Sequence, residues 1–381
     1  MKKMLRTHLT CLLAVLGLSA GPVQAEEGVD ADQILIGENL TLQGGKNDYG
    51  TAVLAGVQTA FAQVNRSGGV RGRKLALKVL DDNNKSDQAE ANARQLVQQD
   101  KVFILFGSIE GGPSTAVMRA ALDLKVPFFG PMAGSPAFRQ PYQPLVFPVR
   151  SGHKDEFLAL MRHARSLGMT KVAFVRSDSE NGRQHLANVQ QLAKDAGVEL
   201  VSDLPFKSDI SDAQLGDMAR QIRDSGAQMV FNHGGIGMYE KLIRQSRQIG
   251  VRASFYGVNS GSYQLAKHLG DLAHGMIFAQ VIPSPWERKT ALTRAYQDAF
   301  SREQAGIEFS YGSLEGYLTA RSLIEALKRA GPNPTRESFL AGLRNSELNV
   351  EGLKISYREG DHVGSSLVDL AIVTREGRFR H

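Results

Sequence analysis

Short apolar, β-branched runs alternate with longer amphipathic runs along almost the whole chain, and this rhythm constrains the fold more than any other feature. Ile34-Leu-Ile-Gly37 reads as a strand. Tyr49 to Val64 carries apolar residues at helical spacing and stops at the turn Asn65-Arg-Ser-Gly-Gly69. A strand at 75–80, a helix at 87–99, a strand at 102–106, a helix at 113–124 and a strand at 126–129 follow. The rhythm then restarts with a helix at 154–167 and runs through strands near 171–175, 198–204, 229–232 and 254–257, with helices between them. Strands joined by helices must be parallel, with helices on both faces of the sheet.

Two such sets without a flexible linker predict an α/β protein of two doubly wound, parallel-sheet lobes. About three crossing segments should join them, at Val146–Arg150, at Phe278–Pro283 and near 351–354. The expected division is 26–149 plus 282–351 for the first lobe and 150–281 plus 352–381 for the second. Helical stretches at 288–304, 314–329 and 335–343 precede a tail, 353–373, that alternates as antiparallel strands do. In open α/β sheets ligands sit beyond the carboxyl ends of the strands, so two facing sheets make a cleft with loops from both sides.

The first 25 residues bear on the compartment. Lys2, Lys3 and Arg6 precede an apolar run, Leu12 to Ala20, and Val23-Gln-Ala25 supplies small residues for cleavage before Glu26. The expected location is the periplasm, after removal of this leader. The run is too short to span a bilayer, and Cys11 precedes most of it, which argues against a lipoprotein. Cys11 is the only cysteine, so the mature chain would have no disulfide and no cysteine-based metal or thiol chemistry. The formal charge of +6 falls to +3 once the three leader cations are removed (6 − 3). Interleaved charges with no Lys/Arg block describe a soluble surface, not a nucleic-acid footprint.

Enzyme motifs are missing from the sequence: it has no G-x-S-x-G, P-loop or H-E-x-x-H, and His233 has no partner at metal-ligand spacing. No catalytic residue, metal ligand or cofactor is expected. The loop Gly107-Ser-Ile-Glu-Gly-Gly112 follows a strand and precedes a helix, but its spacing is not that of a dinucleotide site. It suits an anion instead, because glycines let amides approach a ligand and the helix start offers unpaired N–H groups and a positive dipole end. Ser114 and Thr115 add hydroxyls; capping the helix is the competing role for them, and the second glycine-rich loop at the neighbouring strand end favours binding. A second loop, Gly130-Pro-Met-Ala-Gly-Ser-Pro136, follows the next strand.

These residues, with Ile34 to Gly37, Tyr49-Gly50, Val64-Asn-Arg-Ser-Gly-Gly-Val-Arg-Gly-Arg73, Leu80-Asp-Asp82, Leu96-Val97, Val102 to Gly107, Val126-Pro127 and Phe147-Pro-Val-Arg150, carry a resemblance. In combination, the Asn-x-x-Gly-Gly-x-x-Gly turn and paired aspartates make the chain similar to branched-chain-amino-acid-type solute-binding proteins of bacterial ABC importers, the type I periplasmic binding fold. The resemblance implies a monomer that closes over a small-molecule ligand and docks on a membrane permease. By position it implies Tyr49, Gly111, Gly112, Ser114, Thr115, Met132, Gly134 and Ser135 as the first lobe's contacts. The second lobe's would be Asn181, Gly235, Ile236 and Asn259. The chain departs from the family pattern at Glu110, which is inserted before the anion loop, and at Gly134, which replaces a hydroxyl. Its second-lobe aromatic positions are also reduced.

Asn259 falls where amino-acid binders carry the acid that meets the ligand's ammonium. An uncharged side chain there points to a small carboxylate or amide without an α-ammonium, unless Glu110, Asp178 or Glu180 supplies the missing charge. A secreted sensor of the same fold, signalling to a membrane receptor, is the alternative function.

Overall fold

A computed structural model describes residues 26–44 and 47–381. The expected leader and Cys11 lie outside the described residues.

The first lobe is built from β1 (Gln33–Leu40), α1 (Asn47–Arg66), β2 (Lys74–Asp81), α2 (Ser86–Gln98), β3 (Ile104–Phe106), α3 (Gly111–Leu124), β4 (Phe128–Phe129) and β5 (Val146–Phe147). Its strands lie in the order β2-β1-β3-β4-β5, all parallel. The sequence motifs between them fasten the chain. Gly68 and Gly69 take positive φ after α1. Asn65 then exchanges two hydrogen bonds with the backbone of Leu75, at 2.9 and 2.8 Å, which docks the turn on β2. Of the paired aspartates, buried Asp82 accepts from Asn39 Nδ2 and Thr41 Oγ1, each at 2.7 Å. Asp81 accepts from the amide of Leu42 at 3.0 Å.

The second lobe runs α4 (His153–Ser166), β6 (Lys171–Ser177), α5 (Glu180–Ala196), β7 (Glu199–Phe206), α6 (Asp212–Asp224), β8 (Met229–His233), α7 (Ile236–Gln248), β9 (Ser254–Gly257), α8 (Ser262–Leu269) and β10 (Ile277–Gln280). The chain then returns to the first lobe as α9 (Ala291–Glu303), α10 (Tyr311–Arg329) and α11 (Arg336–Leu343). Helix α10 lies against α1, with Gly56 and Gly316 so close to the opposing backbones that a Cβ at either would collide. Three antiparallel strands follow, β11 (Ser346–Val350), β12 (Leu353–Arg358) and β13 (Asp361–Gly364). Finally β14 (Asp369–Val373) and β15 (Phe379–Arg380) close the edge of the second sheet, whose order is β15-β14-β10-β9-β8-β6-β7.

The chain therefore crosses between sheets after β5, after β10 and between β13 and β14. In sequence these passages lie at 148–152, 281–290 and 365–368. Tyr357 on β12 packs edge-on against Phe147 at 5.3 Å, and His362 on β13 stacks on the same ring at 4.4 Å. Burying those rings keeps 352–364 with the first lobe rather than the second.

The interlobe cleft as a candidate ligand site

Between the lobes lies a cleft of about 890 Å³. Its first-lobe wall starts at α3, whose opening turn includes Gly111 and Gly112, so both glycines belong to the helix and not to the loop before it. The amide of Ser114 already bonds Glu110 O at 2.8 Å, and Pro113 has no N–H. Gly111 and Gly112, in the same first turn, have amides with no intrahelical acceptor, and both line the cleft with Thr115, whose hydroxyl donates to Gly111 O at 2.7 Å. Ser114 does not. It is fully buried, and its hydroxyl donates to Ser108 Oγ at 2.8 Å behind the helix start.

In the second loop only Ser135 of the expected residues reaches the cleft. Met132 is buried, held through its carbonyl by Arg150 at 3.1 Å. Gly134 lies behind the wall, and a Cβ on it would stand 2.7 Å from the ring of His153. The missing hydroxyl at this position is thus the space His153 occupies.

Across the cleft, Asn181 near the start of α5 and Gly235, which precedes α7, line the second lobe. Ile236 does not; it packs on the hydrophobic core. Apolar surface comes from Ile109, Ala133, Phe206 and Val258, and charge from Glu110, Asp178, Glu180 and Asp209 against Arg119 and Lys207. Glu110, Asp178 and Glu180 therefore all line the cleft.

Tyr49 and Asn259 sit elsewhere. Both are buried behind the floor, in a network centred on Arg150. Arg150 pairs with Glu156 of α4, lies 3.6 Å from Glu315 of α10, and donates to Ser260 Oγ at 2.8 Å. Tyr49 donates to Glu315, Asn259 Nδ2 donates to the same oxygen at 2.6 Å, and the Asn259 amide donates to Glu156 at 2.8 Å. Burial pushes the Glu315 carboxyl up, against the pull of Arg150. Burial opposes the charge on Arg150, but Glu156 and Glu315 outweigh it and the net direction is upward. An uncharged residue at 259 therefore says nothing about an ammonium in the cleft, since the side chain does not reach it.

His153 and His233 also line the cleft, with His185 buried directly behind them. Nothing in their spacing along the sequence brings them together.

The profile of the periplasmic binding proteins matches residues 33–378. The chain belongs to this family. Among curated relatives, "Leu/Ile/Val-binding protein homolog 7" of Brucella abortus is 23% identical over 335 residues, covering 83% of this chain and 82% of that one. A "leucine-, isoleucine-, valine-, threonine-, and alanine-binding protein" of Pseudomonas aeruginosa is 23% identical over 312 residues, 81% of each chain. The solved structure of an extracellular ligand-binding receptor from Verminephrobacter eiseniae superposes with a TM-score of 0.82 at 27% identity, covering 92% of this chain and all of that one. The resemblance expected from the sequence and the two-lobed α/β architecture both hold. Family membership puts this binding protein among periplasmic solute receptors, and its relatives are named for binding rather than catalysis.

Proposed function

We propose that this periplasmic binding protein captures a small, amino-acid-like carboxylate by closing its lobes, and delivers it to the permease of an ABC importer. The carrying observation is the start of α3: Gly111 and Gly112, whose amides have no acceptor within the helix, line one cleft wall with Thr115 and Glu110. An α-amino acid presents its carboxylate and ammonium one carbon apart, and burying either without a partner costs several kcal/mol. The helix start suits the carboxylate; Glu110, with Asp178 and Glu180 opposite, suits the ammonium. Ile109, Ala133 and Phe206 offer an apolar wall for the side chain. The mature chain starting at Glu26, released in the periplasm, is the form that would bind.

Titration calorimetry of that chain with leucine, isoleucine and valine, beside benzoate and short-chain acids, tests the reading. Micromolar binding of an amino acid is expected, weakened roughly 10- to 100-fold by Glu110→Gln, the range for one charge-assisted hydrogen bond. Binding of organic acids alone, or amino-acid binding indifferent to Glu110→Gln, would remove the ammonium assignment.

A further inference from the structure

We propose that His153, His185 and His233 form a binding site for a divalent transition-metal ion, zinc(II) by preference, on the second-lobe wall of the cleft. Three separate elements deliver these rings: His153 is the first residue of α4, His185 lies within α5, and His233 ends β8. One ligand nitrogen from each lies within 4.8 Å of the others. The His185 and His233 ring centroids are 3.8 Å apart, and His153 stands 5.2 and 5.5 Å from them. Zinc–imidazole bonds of about 2.0–2.1 Å place tetrahedral nitrogens roughly 3.4 Å apart, so ring movements of about 1 Å complete the site.

Two further observations point to an ion. His185 is fully buried, and neither of its ring nitrogens has a hydrogen-bond partner. Folded proteins rarely leave a buried polar atom in that condition, and a metal would take the lone pair that no donor meets. His153, for its part, is oriented as metal-bound histidines are: its Nδ1 bonds Glu156 Oε1 at 3.0 Å, which makes Nε2 the lone-pair nitrogen. Glu156 is itself fixed by Arg150 and by the Asn259 amide, so this second-sphere carboxylate cannot swing away. Three neutral imidazoles suit zinc, copper or nickel, and a three-ligand set leaves a coordination position open. That position opens on the cleft, because His153 and His233 both line it. The acids Glu110, Asp178, Glu180 and Asp209 along the same cleft favour the entry of a cation.

The site stands apart from the solute reading, so it is tested without solute. Tag-free mature protein, stripped with a chelator, is titrated with cobalt(II) while the visible d–d bands are followed, then with zinc(II) in competition. One equivalent with tetrahedral-type absorption, displaced by zinc, is expected. His233→Gln, at the partly exposed rim, should weaken binding about 100-fold or more, at or beyond the upper range for loss of a second-sphere partner. His185→Phe, which can pack on Phe157 as His185 does, should do the same while the thermal midpoint shows the fold intact. No stoichiometric band, or one unchanged in both variants, overturns the proposal. Calorimetry with amino acids reports separately, so either idea can fail alone.

Discussion

Ser135 Oγ of the first lobe donates to Asn181 Oδ1 of the second at 2.7 Å, a single hydrogen bond that ties the two walls of the cleft together. Asn181 also stands over α3: a Cβ added to Gly111 would lie 2.6 Å from its Nδ2. The two walls thus meet at a latch, and the absence of a side chain on Gly111 leaves room for it.

Two variants separate these contributions. Asn181→Ala removes the latch, worth about 1 kcal/mol for a typical hydrogen bond, so solute affinity should fall roughly fivefold as the closed population drops. Gly111→Ala places a methyl 2.6 Å from Asn181 Nδ2, so the Asn181 side chain must turn away and give up the latch, and the loss should be at least as large as for Asn181→Ala. Unfolding stability should hardly change for Gly111→Ala, because the open form has no clash. Small-angle scattering should show a larger radius of gyration for both variants with solute present. Equal radii and affinities across the three proteins would mean that this contact does not control closure.

Behind the latch, Arg150 on the first crossing segment holds Glu156 of one lobe and lies near Glu315 of the other, with all three buried. Its guanidinium also donates to the carbonyls of Met132 and Ser151 and to Ser260. Lysine cannot reproduce that fork of donors. Arg150→Met should therefore cost about 3–5 kcal/mol by leaving two carboxylates buried without a cation, and Arg150→Lys should recover only part of it. Denaturant unfolding followed by circular dichroism measures both. Near-wild-type stability of Arg150→Met would show that Glu156 and Glu315 are protonated and need no partner.

The fold was legible because its determinants are local. Apolar periodicity and glycine-terminated helices mark each β-α unit, so the elements of both lobes stand close to where the pattern puts them. The third crossing was not, since nothing local to 352–364 reveals that Tyr357 and His362 bury themselves on Phe147. The cleft divides the same way. Gly111, Gly112, Thr115 and Ser135 follow from loops at strand ends, and Asn181 and Gly235 from position within the family pattern. Tyr49, Ser114, Met132, Gly134, Ile236 and Asn259 lie near those loops or at matching positions in the family pattern, yet do not line the cleft. Which way each side chain turns, however, depends on partners far away in sequence: Glu315 takes Tyr49 and Asn259, and Ser108 takes Ser114. The histidine cluster had no signal at all, because its members come from α4, α5 and β8.

Glu38 sits mid-sheet on β1, fully buried, and neither carboxylate oxygen has a hydrogen-bond partner. It occupies the space opposite Gly107, where a Cβ would come within 2.6 Å of its Oε1. Burial alone pushes its pKa up to about 8 from 4.5. The sign of the pH dependence follows from proton counts. Below pH ~4.5 both folded and unfolded chains hold the proton, and Glu38 contributes no pH dependence. Between about 4.5 and 8 the folded chain keeps a proton that the unfolded chain has lost, so stability falls as pH rises. Above ~8 both are ionised and the loss is complete. At one pKa unit per 1.36 kcal/mol, the loss reaches about 3 kcal/mol at pH 7. Glu38→Gln keeps the shape without the charge. Its own unpartnered amide costs about 1–3 kcal/mol at every pH, so the absolute change at neutral pH is small. The difference between the two proteins is the informative quantity: it should move about 2.5 kcal/mol in favour of the variant from pH 5.5 to 7.5. Urea unfolding at those two pH values measures it. A difference that stays flat would mean that Glu38 finds a partner or water in solution and ionises with an ordinary pKa.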